Sequence, residues 1–318
     1  MYNHTIKVLI DIVKQMTIII MMFPLVFGHY FYRLNVMPFL VIIAVFALPD
    51  VSFAWGFETH INIGMQILQS SKISVIANNP QFFLCGNIFP DLFNLFKDFS
   101  RFKKELPTHS WQTVSKLFGD VRGDEEQAFA YGYSAHLSAD IIAHNHMVPQ
   151  HIAYVDEGRM RSHLLFEMAE ESVHNNRYSN MLMMLLRFSP KYGNIFLRNM
   201  GVKQEWFETE TKAIRFGVMS QKTLKLHAIS RAIKKSAQPG FEERVGYFRE
   251  AAIKQAIEAV EQGFAHLEQR DPSGKDSMES ARKLRREMLK TNSKKELRDE
   301  YHNHIDQKLF PLDENGAS

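Results

Sequence analysis

The chain of 318 residues is 45% hydrophobic and 23% charged, which excludes a disordered or collagen-like polymer and leaves ample material for a buried core. Only 16 Gly and 11 Pro stand against 25 Phe and 16 Met, too few turn residues for an all-β protein, so long helices are favoured. The net charge of +3 advertises no nucleic-acid partner, and the single Cys85 excludes an internal disulfide or a cysteine-based zinc finger.

Residues 38–48, PFLVIIAVFAL, form an uncharged apolar run preceded by Arg33 and followed by Ser52-Phe53-Ala54, a small-x-small cleavage pattern. This reads as a secretory signal starting at Met37 and cleaved after Ala54. The mature chain would then begin at Trp55 and be exported to the periplasm or the exterior. Uncleaved, the leader would instead anchor the protein to a membrane. The upstream stretch contains Lys7, Lys14 and a second apolar run, TIIIMMFPLVFG, and is either a membrane segment or a little-used early start. Neither run reaches the roughly 18 to 20 apolar residues of a spanning helix.

Beyond Trp55 the pattern is helical, and nothing alternates with period two long enough to suggest a sheet. Helices are expected around residues 59–69, 124–145, 161–174 and 178–188. From Glu242 to Glu268, Val245, Phe248, Ala252, Ala256, Val260, Phe264 and Leu267 recur at helical spacing, the mark of an amphipathic helix laid on a core. Asp271-Pro272-Ser273-Gly274 breaks the pattern, and the remainder is densely charged. The expected organisation is a leader over residues 1–54, one all-α domain over 55–270, and a charged, solvated helical tail over 271–318.

The 14 histidines concentrate between His60 and His174. In the segment FAYGYSAHLSADIIAHNHMVP, His136, Asp140 and His144 interrupt an apolar stretch at intervals of four. Four residues advance a helix by about 40° beyond a full turn, so the three side chains form one polar stripe. A buried carboxylate among imidazoles is costly unless a cation binds it. In SHLLFEMAEE, His163 and Glu167 repeat the interval. A lone histidine on an apolar helix is more often a core residue than a ligand, but two such pairs in a short interval resemble metal sites assembled inside helical bundles.

These residues carry a wider resemblance. Trp55-Gly56 with Thr59-His60, GNIFPD ending in Asp91, Thr108-His109-Ser110, HLSAD, HNH, and His163 with Glu167 occur in that order over residues 55 to about 170. The chain resembles the bacterial zinc-dependent phospholipase C family, whose all-α fold is shared with zinc-dependent single-strand nucleases. The resemblance implies up to three zinc ions. One would be held by Asp91, His109 and His136, with Asp140 bridging to a second bound by His60 and the amino nitrogen and carbonyl oxygen of Trp55. The third would use His163, Glu167 and a histidine of the HNH segment. His146 fits the family's longer spacing after Asp140, whereas His144 lies one helical turn from it; helix geometry leans to His144, and both remain candidates.

Oxygen and imidazole ligands without thiolate suit catalytic zinc, and paired ions about 3.5 to 4 Å apart can clamp a phosphodiester and activate a water. Asp91 is either the group that assists proton removal or purely a ligand. The expected partners are a phospholipid and a membrane surface, with diacylglycerol and a phosphorylated headgroup as products. No specific nucleic acid is expected. Phe93, Phe96, Phe99 and Phe102 recur at spacing three among Lys97, Arg101, Lys103 and Lys104, either as core or as an acyl-facing stripe. The alternatives are a nuclease for single strands and a metal-binding protein without turnover.

Overall fold

The computed structural model describes residues 55–93, 108–155, 170, 177–223, 240–303 and 309–312. The chain divides into a unit of Met1–Pro49 and a unit of Asp50–Ser318, and every described residue lies in the second. The leader, the expected helix over residues 161–174 and three of the four stripe phenylalanines (Phe96, Phe99 and Phe102) lie outside the described residues.

Among the described residues there is no strand, and the chain is all-α as its composition implies. In order the helices are α1 (Phe57–Ser70), α2 (Ser74–Asn78), α3 (Pro80–Leu92), α4 (Trp111–Gly119) and α5 (Asp124–Ile142). A π-helical turn, Ala143–Met147, joins α5 to α6 (Val148–Tyr154). Then follow α7 (Ser179–Tyr192), α8 (Asn194–Met200), α9 (Gln204–Thr223), α10 (Phe241–Gln262), α11 (Lys275–Thr291) and α12 (Lys294–Asn303). None of these helices is long and apolar enough to cross a membrane.

The local starts and stops follow from side-chain chemistry. Pro80 opens α3, where its missing N–H costs nothing. Ser110 caps α4 by accepting a hydrogen bond from the Gln112 amide at 3.2 Å. The amphipathic pattern of residues 242–268 forms α10 as far as Gln262, where Gly263 adopts a left-handed φ of 87° and ends it.

Helix α5 is the central element. From Ala128 onward it is buried on nearly every side, with Tyr131 alone only half-buried, and it packs most extensively on α3 and next on α10. Two glycines allow the α3–α5 approach. A Cβ on Gly86 would overlap the Phe129 carbonyl, and one on Gly132 the Phe83 carbonyl. Below that crossing, the Phe89 ring lies 5.0 Å from Phe129, 5.1 Å from Phe196 and 5.2 Å from Phe207. Phe93, the first of the stripe phenylalanines, is fully buried in the same cluster. The crossing therefore brings Asp91 on α3 against His136 and Asp140 on α5.

The charged tail is helical, but it is not merely solvated. Ala281, Arg285, Leu297 and Tyr301 are buried, and Arg285 donates to the Ala153 carbonyl at 3.0 Å at the end of α6. Its long stem covers apolar surface while its guanidinium satisfies a helix C-terminus, which is how a sequence poor in large apolar residues still packs.

The glycine crossing makes a quantitative expectation. In chemical denaturation, Gly132→Ala should destabilise by about 1–3 kcal/mol or more, because the added methyl forces two backbones apart. Gly119→Ala, with nothing within 4 Å of the added atom, should be neutral or stabilising by at most about 1 kcal/mol. Equal midpoints for the two variants would contradict the close approach.

Candidate metal centre

Three helices and one loop supply the site. His60 comes from α1, Asp91 from the last turn of α3, His109 from the residues preceding α4, and His136 and Asp140 from α5. One ligand atom from each of Asp91, His109, His136 and Asp140 can be chosen so that all lie within 4.8 Å of one another. Asp140 is the hub. Its Oδ2 is 3.0 Å from His136 Nε2 and 3.2 Å from His109 Nε2, while its Oδ1 is 3.4 Å from His60 Nε2. Asp91 Oδ1 is 3.2 Å from His109 Nε2, and its Oδ2 is 3.7 Å from His60 Nε2. The His60 and His136 rings stack at 3.9 Å.

The surrounding hydrogen bonds orient these rings. His136 Nδ1 lies 2.9 Å from the Asn87 carbonyl. A carbonyl only accepts, so Nδ1 carries the proton and Nε2 presents a lone pair to the carboxylates. The Asn87 amide in turn donates to the His60 carbonyl at 2.8 Å, and the Tyr133 hydroxyl donates to the Thr108 carbonyl at 2.7 Å beside His109. His60 Nε2 and Asp140 Oδ1 are both buried without a hydrogen bond, although they face each other. Lone pairs of nitrogen and oxygen at that separation repel unless a proton or a cation lies between them. An oxygen and nitrogen donor set with orphaned atoms pointing inward fits a divalent metal.

Electrostatics divide the imidazoles. Burial would lower His109, but hydrogen bonds to Asp140 and Asp91 outweigh it and raise the group to about 9. Burial and the neighbouring His136 lower His60. For Asp140 burial acts upward, yet the imidazoles of His136, His109 and His60 facing it hold it well below the usual carboxylate range.

The two histidines of the HNH segment have different environments. Burial lowers His144 to about 4; the next largest influence on it is Asp140, and its Nδ1 is buried without a partner. His146 has both ring nitrogens engaged elsewhere. Its Nε2 receives the Arg270 guanidinium at 2.7 Å, and its Nδ1 lies 2.7 Å from the Pro311 carbonyl. Residues two apart do not share a helix face, and here α5 has also given way to a π-helical turn after Ile142, a feature that recurs at functional sites.

The remaining expected residues complete the picture unevenly. Trp55 is fully buried, and its Nε1 donates to the Ala139 carbonyl at 3.2 Å, one residue before Asp140. His163 and Glu167 lie outside the described residues. Glu170, not anticipated, is fully buried and accepts hydrogen bonds from Thr59 Oγ1 at 2.5 Å and the Gly56 amide at 3.2 Å. Its spacing of three from Glu167 was the available signal, but the adjacent Glu171 left the sequence unable to single it out. Asn87 was also missed, although GNIFPD contains it.

The family sequence model of the zinc-dependent phospholipases C matches residues 59–222, more than half of the chain. The chain belongs to the zinc-dependent phospholipase C family. No curated protein and no solved structure matches it. The matched family stretch contains His60, Asp91, His109, His136, Asp140, His144 and His146, and ends before α10.

The titration behaviour of the metal-free protein follows from the signs above. His109, raised to about 9 from 6.5, stabilises fully below about pH 6.5, and its contribution is lost as the pH rises through 9. His60 and His144, both lowered, stabilise above about 6.5, and that contribution is lost on acidification, toward pH 4 for His144. Urea midpoints of chelator-treated protein should therefore peak between these limbs. His109→Gln should flatten the alkaline limb; an unchanged limb would contradict the assigned contacts.

Proposed function

We propose that this chain is a zinc-dependent phosphodiesterase of the phospholipase C type, cleaving a phospholipid into diacylglycerol and a phosphorylated headgroup. The observation that carries this reading is the buried convergence of Asp91, His109, His136 and Asp140, with His60 Nε2 facing the other oxygen of Asp140. Asp91, His109 and His136 would hold one ion, and Asp140 would bridge to a second held by His60. His144, with His163 and Glu167, would hold a third. Zinc in such a set acts as a Lewis acid toward a phosphoryl oxygen and lowers the pKa of a water.

The residues themselves supply the rest. The His109 side chain, 13% exposed, is the most open member of the cluster while the others lie at 4% or below, so the phosphodiester would approach over His109. Asp91, with Oδ1 directed at His109, is the group placed to accept a proton from the attacking water. Asn87 keeps the His136 Nε2 lone pair available throughout turnover.

Export belongs to the same reading. Cleavage after Ala54 would free the amino group of Trp55, whose side chain is already pinned beside Asp140 through the Ala139 carbonyl. The Gly56 amide is held by Glu170 in the same region, which supports an ordered N-terminal ligand.

The test is metal analysis of protein purified from a secreting host, with parallel assays on phosphatidylcholine vesicles and single-stranded DNA. Diacylglycerol release with bound zinc is the expected result. Nucleotide release would favour a nuclease, and zinc without either product a binding protein. Asp140→Asn should lose at least one zinc and more than about 100-fold in activity, since loss of an outer partner alone costs about 10- to 100-fold. Full zinc content in that variant would overturn the bridging role. Protein beginning at Trp55 should hold one more zinc than a form extended by a few residues, because an acylated nitrogen cannot ligate. Equal zinc content would remove Trp55 from the ligand set.

A further inference from the structure

The HNH segment is gripped by a part of the chain that the family match does not reach. Each of its three residues touches the stretch from Arg270 to Ser277. At His144, Gly274 lies so close that a Cβ there would overlap the His144 carbonyl, and Gly274 adopts a left-handed φ of 56° as it opens α11. At Asn145, the side-chain amide donates to the Asp271 carbonyl at 2.8 Å and its oxygen accepts from Ser277 Oγ at 2.7 Å. At His146, Nε2 accepts from Arg270 at 2.7 Å.

This stretch is itself rigidly built. Asp271 receives the Ser273 amide at 2.9 Å, the Ser273 hydroxyl at 2.7 Å and the Lys275 amide at 3.3 Å. The Arg270 carbonyl accepts from Trp111 Nε1 at 3.0 Å, two residues after His109. Arg270 also donates to Gln255 Oε1 at 3.0 Å, and Gln255 donates to the Ser138 carbonyl at 2.5 Å on α5. The polar chain therefore runs from Ser138, between His136 and Asp140 on α5, through the break after α10, and back to the π-helical turn.

A π-helical turn is a poor conformer in isolation and persists where surrounding contacts over-determine it. From this we infer that Asn145 and Gly274 are positioning residues for His144. The Arg270–Ser277 stretch clamps the π-helical turn and thereby fixes the backbone from which the His144 imidazole projects. This rests on the reading of His144 as a zinc ligand. Asn145 satisfies two partners that belong to the clamp rather than to its own helix, and only a residue without a Cβ fits at 274.

The test uses the full chain loaded with cobalt in place of zinc, reading the visible ligand-field bands and the affinity of each ion, with urea midpoints of the metal-free proteins in parallel. His144→Ala should lose one ion and its band. Asn145→Ala should keep all ions at saturating metal but shift that same band and weaken that ion by about 10- to 100-fold. Ser277→Ala, which removes one of the two bonds, should shift the band in the same direction by less. It decides the matter if Asn145→Ala fails to fold. Adding Ser277→Ala to Asn145→Ala should produce no further shift, because both act through one contact. Lys283→Ala, on the exposed face of α11, should leave bands and affinities unchanged. A wild-type band and affinity in both Asn145→Ala and Ser277→Ala, with the ion lost in His144→Ala, would overturn the clamp and leave the ligand standing. Full ion content in His144→Ala would overturn the ligand reading, and the clamp with it.

Discussion

Two carboxylates buried among imidazoles dictate much of this molecule. Asp91 and Asp140 are almost wholly removed from water, and each lies between 3.0 and 3.7 Å from the Nε2 atoms of His109, His136 and His60. Such a group is expensive to hold in a helical core unless positive charge is shared among its members. Protons can supply that charge in part, as the elevated His109 shows, but they leave inward-facing atoms of His60 and Asp140 unpaired. A divalent cation satisfies both. The core is arranged accordingly: glycines 86 and 132 let α3 meet α5 backbone to backbone, and the phenylalanines below the crossing fix its depth.

Much of this was legible in the chain before its structure. The all-α class followed from scarce turn residues, and the amphipathic run after Glu242 became α10, although Gly263 stopped it short of Phe264 and Leu267. His136 and Asp140 were identifiable because polar residues at helical spacing in apolar sequence are costly without a purpose, whereas Asp91 and His109 followed only from the resemblance of GNIFPD and Thr108-His109-Ser110 to the family's pieces. The periodicity argument met a change of helix type that it could not foresee. From His136 to Asp140 the interval of four lies within α5, but from Asp140 to His144 it crosses into a π-helical turn, for which spacing carries no warning.

The supporting residues were less visible because their roles are made by contacts distant in sequence. Asn87 orients His136 through its backbone carbonyl, which any residue type possesses. Glu170 reaches back 111 positions to Thr59. The charged tail was read as a solvated helix from its composition, yet it contributes Arg285 to the end of α6 and Gly274 to the HNH segment. Residues outside the matched family stretch thus contact the HNH segment that follows α5, so the candidate centre draws on more of the fold than its own residues suggest.

The most direct measurement is a crystal structure of the secreted protein with anomalous data collected on both sides of the zinc absorption edge. The account predicts edge-dependent peaks on either side of Asp140, one among Asp91, His109 and His136 and one beside His60. Difference density there without an edge signal, or zinc bound only elsewhere in the molecule, would contradict it.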